Sequence, residues 1–128
     1  MFSQTFNMAS DIAWIMTELV TYNGTLPTGS PSSQLIIYWT YRGMFQRINE
    51  LAEEYNCYFS LYVDDMAFSS DFPIKAILRD EVSDVLRKNR LLAKSKKDHY
   101  YQVNDFKVVT GVGIKQKKRL YLIISVNK

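Results

Sequence analysis

The stretch Tyr58-Phe59-Ser60-Leu61-Tyr62-Val63-Asp64-Asp65-Met66-Ala67-Phe68-Ser69-Ser70 constrains this chain most: an apolar, aromatic run broken by two adjacent carboxylates. It reads as a strand, a two-Asp turn and a return strand. Strand side chains alternate faces, so Phe59, Leu61 and Val63 share one face and Tyr58, Ser60, Tyr62 and Asp64 the other. Asp64 is therefore expected to open toward solvent or ligand. Adjacent carboxylates repel and Asp is a poor strand residue, so the pair gains little for folding, whereas oxygen-seeking Mg²⁺ would relieve the repulsion. The plain alternative is turn chemistry, because Asp tolerates turn conformations and bonds to its own backbone.

At 128 residues and 14.9 kDa the chain has the size of one ordinary domain, and 47% apolar residues suffice for a core. The formal charge is only +3, yet basic residues crowd the final third from Arg87 onward, where Asp98 and Asp105 are the sole acids. Such asymmetry suits a polyanion partner such as nucleic acid or a triphosphate, and equally an ordinary solvated surface. The lone Cys57 beside an aromatic strand reads as a small buried hydrophobe, and His99 as a surface residue without zinc-binding companions. No apolar run approaches the roughly 20 residues of a membrane span and the start lacks a basic leader, so no membrane is expected and a cytoplasmic location is.

Apolar residues at Met8, Ile12, Ile15, Met16 and Leu19 predict a helix with one buried face that closes at Asn23-Gly24. Leu26-Pro27-Thr28-Gly29-Ser30-Pro31-Ser32-Ser33 reads as a rigid turn, with Gly29 taking unusual backbone angles and Ser30-Pro31 opening a helix. Ile37, Tyr41, Met44, Ile48, Leu51 and Tyr55 predict one long helix leading to the strand before Asp64. A further helix is expected from Asp71-Phe72-Pro73, with Ile74, Ile77, Leu78, Val82, Val85 and Leu86 inward. Tyr100 to Val103, Phe106 to Ile114 and Leu120 to Val126 predict antiparallel strands, with a turn at Lys115-Gln116-Lys117-Lys118.

The order of these pieces resembles the palm of reverse transcriptases, closest to the bacterial retron-type group, over roughly residues 8 to 114. Leu26 to Ser33 is similar to that family's Leu-Pro-Gln-Gly-Ala-Pro-Thr-Ser block, and Tyr62-Val63-Asp64-Asp65 to its catalytic block. Lys96 falls on the lysine of an Asn-x-x-Lys block, and Val109-Thr110-Gly111 resembles the approach to the primer grip. Thr28, Tyr38 and Ala93 depart from the pattern, and nothing before Leu26 resembles the strand carrying the family's first catalytic aspartate. Fingers and thumb segments are likewise unmatched. The resemblance implies an α+β fold, an antiparallel sheet with a Tyr-x-Asp-Asp hairpin packed on helices, as one partial domain over 1–128.

The implied activity is RNA-directed DNA polymerisation, joining a primer 3′-hydroxyl to the α-phosphate of a deoxynucleoside triphosphate with Mg²⁺, or Mn²⁺, as cofactor. Asp64 and Asp65 would hold metal, and Lys96 would meet the charge on pyrophosphate. Leu26, Pro27, Thr28, Gly29, Tyr62 and Val63 would contact nucleotide or template, and Val109, Thr110 and Gly111 the primer. Partners would be an RNA template, a DNA primer, dNTP and a separate segment supplying fingers and thumb. With one carboxylate block unmatched, the isolated chain is expected to be inactive. The alternative is a non-catalytic module of palm fold that binds nucleic acid or protein.

Overall fold

A computed structural model describes residues 1–93, 98–109, 112–114 and 119–127. The chain is α+β and divides into two units, Met1–Arg42 and Gly43–Lys128.

The first unit contains α1 (Phe2–Thr5), α2 (Ser10–Val20) and α3 (Pro31–Thr40). Aromatic edges hold it together: Phe6 meets Trp39 edge-on with centroids 5.3 Å apart, and the Arg42 guanidinium lies over the same indole at 5.2 Å. Helix α2 ends at Val20, before Asn23-Gly24. Those two residues instead form a tight turn with φ of 49° and 72°, bridged between Tyr22 and Thr25, because Asn-Gly accepts two consecutive left-handed conformations. The expected buried face of α2 is not present: Ala13 is its only buried residue, while Leu19 is 74% and Trp14 66% exposed. Helical periodicity reports one apolar side; it does not supply a surface to cover it.

In the next turn, Gly29 takes the left-handed φ of 85° and Ser30 N–H donates to the Pro27 carbonyl at 3.4 Å. Ser30 is the residue before α3 and Pro31 its first residue, as expected. The Ser33 hydroxyl donates back to the Pro27 carbonyl at 2.8 Å, which fixes the turn against the helix it opens.

The long helix expected through Tyr55 is two helices, α3 and α4 (Arg42–Glu54), separated at Tyr41. The Thr40 hydroxyl bonds the Ile36 carbonyl one turn back at 2.7 Å, and Gly43 follows. Both features weaken a helix at that point.

The second unit continues with β1 (Tyr58–Tyr62), β2 (Asp65–Ser70), α5 (Ala76–Lys88), β3 (Leu92–Ala93), β4 (His99–Tyr101), β5 (Lys107–Val109), β6 (Val112–Ile114) and β7 (Leu120–Asn127). The sheet runs β1-β2-β7-β3, with β4 also paired to β7, and every pairing is antiparallel. The long strand β7 is therefore central. It presents Leu122 and Ile124 opposite Phe68 and Met66, all fully buried. Met44, Ile48 and Leu51 of α4 and Leu78, Val82 and Leu86 of α5 join this core as their stripes predicted, and Ala52 joins them. Ile77, expected inward, is 52% exposed because it lies on the flank of α5 away from the sheet-facing line of Leu78, Val82 and Leu86. Each large buried side chain contributes about 1.5–3 kcal/mol relative to exposure.

Two boundaries shift. Helix α5 begins at Ala76, not at Asp71-Phe72-Pro73, because the segment after β2 is tied back: Ser70 Oγ donates to the Asn56 carbonyl and accepts from Phe72 N–H. The run Phe106 to Ile114 is a separate hairpin of β5 and β6, closed at Val109 opposite Val112. The expected turn at 115–118 lies outside the described residues. Among the described residues, no helix is long and apolar enough to cross a membrane.

Candidate functional site

Strands β1 and β2 form a hairpin whose last pair is Tyr62 opposite Asp65, leaving Val63 and Asp64 as its two-residue turn. The tip is therefore not a two-Asp turn: Asp65 is the first residue of β2, and its backbone belongs to the sheet. Val63 carries φ of 56°, a left-handed value that a β-branched residue adopts only under strain. A two-residue hairpin turn matches strand twist when its first residue is left-handed, a position ordinarily given to glycine. Sheet closure on either side holds valine there.

That geometry separates the carboxylates. Asp64 is exposed, as expected, but from the turn and not from the strand face assigned to it by alternation, which put Val63 on the opposite face. The Asp64 carbonyl accepts from Val126 N–H at 2.9 Å. Asp65 sits half-buried opposite Ser125, whose hydroxyl donates to Asp65 Oδ1 at 2.6 Å. A short hydrogen bond to an ionised oxygen is of the stronger kind and fixes the carboxylate's orientation. Strand β7 thus anchors the tip through Ser125 and Val126, two residues that alternation within the hairpin could not reveal.

Asp64 and Asp65 provide hard oxygen donors of the type that holds Mg²⁺ through one or two carboxylates completed by substrate phosphates and water. They fit such an ion as part of a site. Among the described residues, no group of three or more His, Cys, Asp or Glu is gathered into an all-protein cage.

The remaining expected positions fall in different units or outside the described residues. Leu26, Pro27, Thr28 and Gly29 form the turn in the first unit, whereas Tyr62 and Val63 belong to the hairpin in the second. Tyr62 is exposed on the same strand face as Tyr58 and Ser60. Val109 ends β5, while Lys96, Thr110 and Gly111 lie outside the described residues.

Several polar residues of the second unit were not singled out by the sequence. Arg79 Nε of α5 donates to Asp98 Oδ2 at 2.7 Å, and the Asp98 side chain is only 8% exposed. This hydrogen bond raises the Arg79 pKa above its ordinary value. Asp98 Oδ1 is buried with no hydrogen-bond partner among the described residues. Lys107 is fully buried; its Nζ donates to the Val103 and Asp105 carbonyls and lies 5.8 Å from the Tyr121 ring centre. The Cys57 thiol is buried as expected, and burial pushes its pKa up, which suits packing and not nucleophilic attack.

Comparison with protein-family models and with solved structures finds no match for this chain. What the fold itself defines is an α+β protein whose second unit builds an antiparallel sheet with a carboxylate-bearing hairpin at one end.

Proposed function

We propose that the chain is a palm portion of a retron-type reverse transcriptase, an RNA-directed DNA polymerase carrying part of the catalytic constellation and inactive by itself. The observation that carries this reading is the strained hairpin tip. Val63 in a left-handed conformation presents Asp64 outward, while Ser125 holds Asp65 in the sheet beside it. Backbone strain at a position followed directly by two carboxylates points to a site maintained for chemistry, since folding alone favours neither.

In this reading Asp64 is the leading ligand for Mg²⁺ or Mn²⁺, and Asp65, with one oxygen already engaged by Ser125, is the secondary one. The bound metal would stabilise the attacking and leaving oxygens of nucleotidyl transfer. The tip is exposed to a primer terminus and dNTP, and the resemblance assigns the Leu26 to Gly29 turn of the first unit to nucleotide or template. Lys96 would face the pyrophosphate, and Val109 to Gly111 the primer. A further carboxylate and the fingers and thumb would come from a separate segment.

The test is paramagnetic broadening of backbone amide signals by Mn²⁺ in the presence of dTTP. Broadening should centre on residues 63–66 and fall at least about fivefold in apparent affinity in Asp64→Asn, the loss of one charge-assisted ligand. Broadening elsewhere, or an unchanged Asp64→Asn response, overturns the metal site. Primer extension on RNA by the purified chain alone would overturn its proposed inactivity. RNA binding that weakens with salt and ignores both Mn²⁺ and Asp64→Asn would favour the non-catalytic module instead.

A further inference from the structure

Among the described residues, strand β1 pairs with β2 on one side only, which leaves it an edge of its sheet. Exposed edges normally carry lysine, proline, a bulge or an inward charge that discourages pairing with another chain. Tyr58-Phe59-Ser60-Leu61-Tyr62 has none of these, and Tyr58 is 64% exposed. Beside its first residues opens a cleft of about 430 Å³, bordered by Glu53, Asn56, Tyr58, Asp71 and Phe72.

The chemistry of that cleft is cation-seeking. The Arg119 guanidinium already lies 4.9 Å from the Tyr58 ring centre and donates to Asp71 Oδ1 at 3.1 Å. Aromatic faces and a carboxylate therefore accept a cation at this corner. Glu53 adds a second carboxylate; it accepts from Asn49 at 2.7 Å and has no cationic partner among the described residues. Phe72, 68% exposed, supplies another open ring. The surplus negative charge disfavours a phosphate and favours an ammonium or guanidinium group.

We propose that β1 receives an extended basic segment of a partner protein by strand addition, with a lysine or arginine side chain of that segment in the cleft beside Glu53 and Phe72. Main-chain hydrogen bonds along the edge supply affinity, and the cleft supplies selectivity. A second copy of this chain is a poorer occupant. Antiparallel pairing of two β1 strands about Ser60 sets Tyr58 against the second copy's Tyr62. That register carries the second copy's Asp64 toward Glu53 and Asp71, and like charges there oppose it. This inference goes beyond the polymerase reading and does not depend on it.

The probe is a fluorescent peptide of about six residues, enough to span β1, alternating threonine and valine and ending in arginine. Fluorescence anisotropy is measured without divalent metal or nucleotide, so that failure here leaves the polymerase proposal unaffected. The arginine peptide should bind saturably, and a glutamate-ended version about fivefold or more weaker, the scale of an exposed charge contact. Methylating alternate backbone nitrogens should abolish binding, and Glu53→Gln should reduce the preference for arginine. Equal affinities for the two peptides, or retained binding after backbone methylation, would overturn the proposal. A dimer in sedimentation that is broken by Ser60→Lys and excludes the peptide would assign the edge to a second copy instead.

Discussion

Val63 is a β-branched residue held in a left-handed conformation. Its left-handed φ of 56° costs an L-residue about 1–2 kcal/mol, and glycine escapes that cost at the expense of about 0.5–1 kcal/mol in chain entropy. Val63→Gly should accordingly raise stability by about 0.5–1 kcal/mol, seen as a higher urea midpoint at unchanged slope. A lower midpoint would show that valine is not held left-handed. The dipeptide Val63-Asp64 contains no glycine or asparagine to announce such a turn, so the sequence pointed to the carboxylates and missed the strain. Ser125 was invisible for a different reason: it lies sixty positions from Asp65, and only the register of β2 with β7 brings them within 2.6 Å.

The elements differ sharply in how much of their apolar surface is covered. Ile124 of β7 is fully buried opposite Met66, whereas Leu19 of α2 is largely exposed. Ile124→Ala should cost about 2–5 kcal/mol through lost transfer energy and an unfilled cavity. Leu19→Ala should stay within about 0.5 kcal/mol, as expected for a surface change. Urea melts of the two variants check this pair, and comparable losses would mean that α2 is covered. Along the chain, α2 and α4 both repeat apolar residues every three or four positions. They diverge in the fold because that spacing fixes only which side of a helix is apolar, while burial requires another element to meet it.

For the whole molecule, the raised Cys57 pKa links stability to alkaline pH. In the unfolded chain the thiol ionises near its ordinary value of about 8.5, but in the folded chain burial delays ionisation. The folded state then holds a proton that the unfolded state has lost, so stability is full below about pH 8.5 and falls as pH rises through the folded pKa. Urea midpoints between pH 7 and 10 should show this decline, and Cys57→Ala should flatten its first part. An equal alkaline slope in Cys57→Ala would assign the decline to other groups.

The sequence by itself pointed to the hairpin around Asp64, most of the inward stripes of α4 and α5 and the Gly29 turn, because each draws on residues a few positions apart, and the resemblance added the α+β class. Local spacing also led to a single long helix and a buried face on α2, where neighbouring hydrogen bonds and the lack of a covering surface decided otherwise. Only the tertiary structure placed β7 at the centre of the sheet, paired Asp65 with Ser125 and Arg79 with Asp98, and, among the described residues, left β1 at an edge. Strand propensity marks a segment as able to pair. Which strand it meets, and in what register, is settled by the burial of the whole sheet.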